Sequence, residues 1–190
     1  MNPIFSLPYS EYETIIQMQH HFKKKDGFSI FIPTSRQQKG IDFIILNTAN
    51  SKVLRFQVKG SRPYDGENEK FKHTFWFNNF SFPNRYVLGV ADVYVLFGLY
   101  PVYNVHKNIK SRTQFWKSLM LAFRDSEMRK FLEGIRTTKG EKDRFFYISF
   151  NDPSNEIVVT RGNPNLHKKI EDIKDHLLVN KVPELKKRLL

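Results

Sequence analysis

Apolar residues follow first a helical period and then a strand period along about the first sixty positions of the chain. Between Tyr12 and Phe22 they recur every three or four positions, which predicts a helix with one buried face. Ser10 followed by Glu13 is a capping-box pattern, and it predicts that the helix begins near Ser10. Three short apolar runs then predict strands, at 28–33, 41–47 and 53–59. The predicted order of this part of the chain is therefore α-β-β-β.

Further apolar runs follow, separated by polar segments that contain glycine or proline. The segment TFWFNNF predicts a short strand or an aromatic loop, and ADVYVLFGLY predicts a buried central strand. The spacing within residues 111–123 predicts a helix, and another helix is predicted to start near Ser126. The segments RFFYISF and NEIVVT predict a late hairpin, and two short charged helices are predicted at about 165–178 and 183–190.

The length of the chain, 190 residues, allows one domain with a hydrophobic core, and 40% of the residues are hydrophobic. Helix-like and strand-like segments that follow one another predict an α/β domain over residues 1–160, with a mixed central sheet flanked by helices. Residues 161–190 are predicted to form a helical tail that packs on the same domain.

The charge of the chain points to the kind of partner it binds. Lysine and arginine number 31 against 19 acidic residues, which gives a formal net charge of +12. A basic domain of this size suits a polyanion, and nucleic acid is the first candidate. Two alternatives remain: lysines that only solvate the surface, or a basic face that binds an acidic protein.

Cysteine is absent from the chain, which excludes disulfides, thiolate metal sites and cysteine nucleophiles. This composition agrees with a reducing compartment. The N-terminal segment MNPIFSLPYSEYE lacks the basic region and apolar block of a signal peptide, and no apolar run reaches the length of a membrane span. We therefore expect a cytoplasmic protein without a membrane partner.

Two of the predicted strands carry polar side chains at unusual positions. Asp42 opens an otherwise apolar strand, and the next strand ends in Gln57 and Lys59. Because side chains alternate along a strand, Gln57 and Lys59 share one face while the apolar residues take the other. A hairpin through NTANS would bring Asp42 close to Lys59. The sequence therefore predicts three polar groups that converge on one point.

This set of groups suits a hard cation. Mg²⁺ prefers oxygen ligands, and Asp42 supplies a carboxylate, Gln57 an amide oxygen and Val58 a main-chain carbonyl. Lys59 is the kind of residue that stabilises a phosphate oxyanion or lowers the pKa of an attacking water. Asp42 with Gln57-x-Lys59 therefore predicts a site of phosphodiester hydrolysis that uses Mg²⁺ or Mn²⁺.

The stretch GIDFIIL…RFQVKGSR, within about residues 10–100, resembles the PD-(D/E)xK nuclease superfamily, the restriction-endonuclease-like nucleases. The resemblance implies a restriction-endonuclease-like core in the order α-β-β-β-α-β. It also implies that Asp42 is the metal-binding aspartate and that Lys59 lies near the nucleophilic water. Gln57 takes the position that an acidic residue usually holds in that family.

Two positions depart from the pattern of that family. GID replaces the proline-aspartate pair, and Gln57 replaces an acid, which removes one negative charge from the metal site. A neutral amide binds Mg²⁺ less well than a carboxylate, so either the affinity falls or a second acid compensates. In the family such an acid often comes from the first helix, and the candidates here are Glu13 and Glu11. Glu13 has the capping box as its alternative role, and Glu11 is in phase with the apolar face.

Polar residues before Asp42 and after Lys59 are candidates for contacts with nucleic acid. The loop that precedes Asp42 opens on the predicted site, and the segment after Lys59 leaves it. The candidates for contacts with the phosphate backbone are Arg36, Gln38, Lys39, Ser61 and Arg62. The alternative for both segments is an ordinary solvated loop.

These predictions together favour a Mg²⁺-dependent endonuclease that acts on DNA rather than RNA. Cleavage of both strands of a duplex usually needs two such centres, which favours a homodimer. Two other functions remain open. One is a nucleic-acid-binding module on the same fold that is weak or inactive because of Gln57, and the other is a basic protein-interaction domain.

Overall fold

A computed structural model of the chain describes residues 8–34, 40–61, 63–64, 70–81, 89–103, 114–162 and 173–190. In these ranges the chain forms three α-helices: α1 (Tyr9–His21), α2 (Asp125–Gly134) and α3 (Leu178–Leu189). The strands in the same ranges are β1 (Phe28–Phe31), β2 (Phe43–Asn47), β3 (Val53–Ser61), β4 (Pro63–Tyr64), β5 (His73–Asn78), β6 (Val93–Tyr103), β7 (Gln114–Arg124), β8 (Phe145–Phe150) and β9 (Val158–Arg161).

The central sheet has five strands in the order β1-β2-β3-β6-β7. β1, β2 and β3 form an antiparallel meander, β3 pairs with β6 in parallel, and β6 pairs with β7 antiparallel. The predicted order α-β-β-β and the mixed central sheet of an α/β protein are confirmed. Because β3 and β6 are parallel, their C-terminal ends point in the same direction, and Lys59 lies opposite Leu96.

A second sheet of four strands, in the order β4-β5-β8-β9, was not predicted as a separate layer. Its inner face packs against the central sheet, because Phe75, Phe146 and Phe150 belong to one buried cluster with Leu96 and Leu121. The two layers come very close at β6. A Cβ atom at Gly98 would lie only 2.5 Å from the ring of Phe75, so glycine is required there.

The opposite face of the central sheet is covered by helices. Buried residues of α1 and α3 form a second cluster with the apolar side chains of β2, β3 and β6: Ile15, Met18, Val182, Leu185, Leu189, Phe43, Phe56, Val58 and Val95. Because the helices take one face and the second sheet the other, both faces of β6 and of residues 119–123 in β7 are buried. The structure therefore has three layers, with β6 at the centre.

The helix predicted for residues 111–123 is wrong, because the structure forms β7 over Gln114–Arg124. Leu119, Leu121 and Phe123 point to one core, while Met120 and Ala122 point to the other. A strand that is buried on both sides is apolar at nearly every position, so its period of two is hidden. The long antiparallel ladder with β6 decides the outcome.

Several other predicted elements are confirmed. α1 begins at Tyr9, one residue before the predicted start, but no side chain caps it and the capping box is absent. The strand within TFWFNNF is β5, the helix near Ser126 is α2, and the late hairpin is β8 with β9. At the C-terminus α3 runs from Leu178 through Pro183, so the predicted helix start at residue 183 is wrong.

The chain between β3 and β6 departs from the predicted order α-β-β-β-α-β. In the part of this connection that the structure describes, the chain forms β4 and β5 and no helix. The parallel pair of β3 and β6 is thus linked through strands of the second sheet. The α/β class stands, and the core differs in this connection from the order that the resemblance implies.

Candidate functional site

Asp42 lies immediately before β2 and joins that strand to β3 at two points. Its backbone N–H donates to the carbonyl of Phe56 at 2.8 Å. Its carboxylate oxygen Oδ2 accepts the backbone N–H of Val58 at 2.6 Å. Asp42 precedes Phe43, the first residue of β2, so its carboxylate extends the hydrogen bonding between the two strands beyond the start of β2. This bond fixes the carboxylate beside β3.

The carbonyl of Val58 faces the same edge as the carboxylate. In a strand the N–H and C=O of one residue point to the same side, and successive residues alternate between sides. Arg55 directs both groups toward β6, where its N–H and C=O bond Asp92, and Val58 directs its N–H toward Asp42. The Val58 carbonyl therefore points to the side of β3 on which Asp42 lies.

Lys59 follows on the polar face of β3, and it is half-buried. Burial lowers the pKa of Lys59 because it disfavours the charged ammonium, and the carboxylates of Asp42 and Glu11 offset part of that shift. The Nζ atom also lies 5.8 Å from the centre of the Phe80 ring. Lys59 therefore loses its proton more readily than an exposed lysine does, although two acidic residues act on it.

Gln57 directly precedes Val58 on β3, and it is 4% exposed. It shares the polar face of β3 with Lys59, as predicted from the strand period. Gly40 lies against it, since a Cβ atom there would be 3.7 Å from Gln57 Nε2 and 3.1 Å from Val90 Cγ1. Gly40 also has a φ of +86°, a backbone conformation that favours glycine where the chain approaches Asp42.

The two candidate acids of α1 have different surroundings. Glu11, like Asp42, acts electrostatically on Lys59 and favours its charged form. Glu13 accepts a hydrogen bond from Gln17 Nε2 at 3.1 Å, and it lines a cavity of about 390 Å³ with Tyr9. Burial and the Glu13 carboxylate raise the pKa of Tyr9. The electrostatic effect on Lys59 therefore favours Glu11 over Glu13 as the second acid of the site.

The predicted contacts with nucleic acid divide into two groups. Ser61 lies at the end of β3, where its hydroxyl accepts the backbone N–H of Trp76 at 3.1 Å and donates to the Trp76 carbonyl. It therefore holds the chain as it passes from the central sheet to the second sheet. The other predicted contacts lie outside the described residues: Arg36, Gln38, Lys39 and Arg62.

The oxygen donors at this edge fit a hard divalent cation. The Asp42 carboxylate bonds the Val58 main chain, Gln57 precedes Val58 on β3, and Glu11 acts electrostatically on the next residue, Lys59. Mg²⁺ accepts such oxygen donors when water completes its shell. Within the described residues no group of three or more His, Asp or Glu side chains is placed to hold a metal. Two carboxylates make this a sparse set, which is compatible with a weakly held ion.

The sequence patterns did not predict that Asp92 also bonds β3. It precedes β6 as Asp42 precedes β2, and its carboxylate accepts the Arg55 N–H at 2.9 Å. The guanidinium of Arg55 binds both carboxylate oxygens, each at 2.9 Å. The sequence carried a signal for this pair, since an aspartate opens the apolar run DVYVLF just as one opens DFIIL.

Comparison of the chain with protein-family models, with curated proteins and with solved structures gave no match. In the ranges that the structure describes, no helix is long and apolar enough to cross a membrane. The group formed by Asp42, Val58, Lys59 and Glu11 is therefore the basis on which a function is assigned.

Proposed function

We propose that the protein is a metal-dependent nuclease that hydrolyses phosphodiester bonds in nucleic acid, with DNA favoured over RNA. One observation carries the proposal. The Asp42 carboxylate, fixed by the Val58 N–H at 2.6 Å, shares a strand edge with a half-buried lysine on which it acts electrostatically. An acid and a lysine that are held together in this way can serve a phosphate and the water that attacks it.

Mg²⁺ or Mn²⁺ is the cofactor that these donors suit. Asp42, Glu11, the Val58 carbonyl and the Gln57 amide would hold it. When bound, such an ion neutralises charge on the phosphate and lowers the pKa of a bound water. The neutral Gln57 contributes no charge, so we expect the protein to need a higher concentration of Mg²⁺ than a site with three carboxylates.

Lys59 performs the proton chemistry in this proposal. Its lowered pKa enlarges the fraction of neutral amine near physiological pH, and a neutral Nζ can accept a proton from the attacking water. In its protonated form the same group donates hydrogen bonds to the phosphate oxygens as negative charge develops. The charges of Glu11 and Asp42 each favour the ammonium form of Lys59, so they offset part of the lowering of its pKa.

The substrate is a polyanion because the chain carries a formal net charge of +12. A single centre of this kind cuts one strand. Cleavage of both strands of DNA would require a second copy of the chain, so we propose a homodimer for an enzyme that cuts duplexes. A monomer that nicks supercoiled DNA is the simplest activity that the site supports.

The direct test is nicking of supercoiled plasmid by the wild-type protein and by Lys59→Ala. We expect conversion to open circles with Mg²⁺ or Mn²⁺, none with EDTA, and a loss of about 100-fold or more in the variant. Lys52→Ala is the matched control, because Lys52 is an exposed lysine in the turn before β3. It should nick at the wild-type rate. Equal nicking by wild type and Lys59→Ala would refute the assignment of the site.

A second function is favoured by Gln57, which is buried and neutral where a further carboxylate would strengthen cation binding. On this alternative the protein binds nucleic acid and does not cut it. Gln57→Glu separates the two functions. For an active nuclease the added charge should lower the Mg²⁺ concentration for half-maximal nicking by about fivefold. Wild-type protein that retards DNA but never nicks it, while Gln57→Glu does, would identify a binding module.

A further inference from the structure

The outer face of the second sheet carries a cluster of aromatic and cationic side chains on three neighbouring strands. Trp76 on β5 pairs with Tyr147 on β8, and Tyr147 pairs with Arg161 on β9. Phe145 lies two residues before Tyr147 on the same face. We call Trp76, Phe145, Tyr147 and Arg161 the aromatic platform. Trp76 is 37% exposed, whereas its neighbours Phe75 and Phe77 point inward and are buried.

The rings of the platform pack edge to face. The Trp76 ring lies 5.0 Å from the Phe145 ring and 5.8 Å from the Tyr147 ring, in both cases at a steep angle. The side chains are therefore fixed before any ligand arrives. A fixed ring loses little conformational entropy on binding, which favours the use of this face as a recognition surface.

Arg161 is held in place over two rings of the platform. Its guanidinium lies 5.5 Å from the centre of the Phe145 ring and 5.2 Å from that of Tyr147. Asp143, which is 5% exposed, accepts from Arg161 Nε at 3.1 Å, and the Tyr147 hydroxyl accepts from Nη1 at the same distance. A guanidinium plane fixed above aromatic rings is a surface on which a nucleobase can stack.

The platform is connected to the candidate site through Ser61. The Ser61 hydroxyl bonds the backbone N–H and C=O of Trp76, and Ser61 is two residues beyond Lys59 on the same face of β3. These bonds fix the backbone of Trp76 to the end of β3 that follows Lys59.

We propose that the aromatic platform binds unpaired bases of a single-stranded nucleic acid. Exposed rings stack on bases of any sequence, and phosphates need cations nearby. The loop 136–144 supplies these cations where the chain enters β8, since it carries four basic and two acidic residues. Arg144 in this loop is exposed and directly precedes Phe145. The proposal rests on the proposed function only in taking nucleic acid as the ligand, because stacking needs no hydrolysis.

The test measures fluorescence anisotropy of a labelled oligothymidine of 20 nucleotides and of a duplex of the same length, in EDTA. We expect the wild-type protein to bind the single strand more tightly than the duplex. Trp76→Ala should weaken binding of the single strand about tenfold. Trp116→Ala is the matched control, because Trp116 is the other tryptophan, is 57% exposed and lies on β7. It should change the affinity less than twofold.

A second measurement keeps the test valid if Trp76→Ala does not fold. Trp116→Phe leaves Trp76 as the single tryptophan of the chain. Its fluorescence should be quenched when the oligothymidine is added, and the quenching should weaken in the double variant with Arg161→Gln. A preference for the duplex, equal effects of the two alanine variants, or unchanged Trp76 emission on saturation would each overturn the proposal. Binding of an acidic protein with no affinity for the oligonucleotide would also overturn it.

The results also separate the platform from the candidate nuclease site. Lys52→Ala, which changes an exposed lysine outside both sites, should bind the oligothymidine as tightly as wild type. Binding that depends on Trp76 without any nicking would retain the platform and reject the nuclease. Nicking that depends on Lys59, with equal affinity of Trp76→Ala and wild type for the single strand, would reject the platform alone.

Discussion

Asp42 and Asp92 occupy equivalent places on the two sides of β3. Each precedes the strand that borders β3 on its side, and each carboxylate accepts a backbone N–H of β3. They differ in the cation they face. Asp92 is paired with Arg55 through both carboxylate oxygens, whereas Asp42 shares its surroundings with Lys59 and Glu11. The same local motif thus appears once with a rigid ion pair and once with a mixed group of charges.

The pKa values express this difference. Burial raises the pKa of Asp92, but the hydrogen bonds and charge of Arg55 outweigh that effect and the pKa is lowered overall. For Lys59 the balance is reversed, because burial outweighs the attraction of Asp42 and Glu11 and lowers the pKa. The Asp92 pair is therefore a stabilising contact. The charge on Lys59 opposes folding, which is typical of residues kept for chemistry.

The largest effect that separates the two aspartates is on activity. Asp42→Asn should lower plasmid nicking by about 100- to 1,000-fold, because the amide still accepts the Val58 N–H but brings no charge to the cation. Asp92→Asn should keep activity within about twofold. It should lower the free energy of unfolding by only about 1 kcal/mol, because the Arg55 side chain is partly exposed and its ion pair with Asp92 is partly screened by water. Nicking rates and urea unfolding of the two variants measure this. Equal losses of activity would remove the distinction.

A smaller effect is expected at α1. Glu11→Gln should lower nicking by about tenfold, because Glu11 acts on Lys59 and supplies the second carboxylate. The pH profile should shift toward lower pH, since Lys59 loses a group that favours its protonated form. Glu13→Gln is the control, and an amide there can still accept from Gln17. A larger loss in Glu13→Gln than in Glu11→Gln would assign the acid to Glu13.

The smallest effect is on stability. Lys59→Met should raise the free energy of unfolding by about 0.5 to 1 kcal/mol at neutral pH, because it removes a charge whose burial is unfavourable. The unfolded chain holds the Lys59 proton more tightly, so wild-type stability should rise as pH passes from the folded pKa to the ordinary value of 10.5, and the gain of the variant should vanish above it.

Urea unfolding at several pH values, followed by tryptophan fluorescence, measures that difference. Lys52→Met is the control, and its exposed side chain should give no gain in stability. A Lys59→Met protein less stable than wild type at neutral pH would mean that Lys59 is held by its acidic neighbours as firmly as Arg55 is held by Asp92.

The sequence predicted the meander of β1, β2 and β3 and the shared face of Gln57 and Lys59, because these features depend on local periodicity. It did not predict β7 or the second sheet. Residues 119–123 of β7 are buried on both faces, so this part of the strand lacks an alternating pattern. β5 pairs with β8 across about seventy intervening positions, and no local pattern specifies such a partner.

For the candidate site, the hairpin predicted from the sequence placed Asp42 near Lys59. In the described structure the Asp42 carboxylate accepts a backbone N–H of β3, the strand that carries Lys59. The sequence did not distinguish Glu11 from Glu13. The two residues are about 200° apart on a helix, so the choice depends on how α1 is rotated over β3. That rotation is fixed by the packing of Ile15, Met18 and Phe22 in the core.

The measurement that tests the central claim most directly is binding of Mn²⁺, followed by the loss of its free-ion electron paramagnetic resonance signal. Wild-type protein and Asp92→Asn should each bind one ion with similar affinity, and Asp42→Asn should bind at least tenfold more weakly. This result would place the cation at the Asp42 side of β3. Undiminished binding by Asp42→Asn, or a loss confined to Asp92→Asn, would contradict the account.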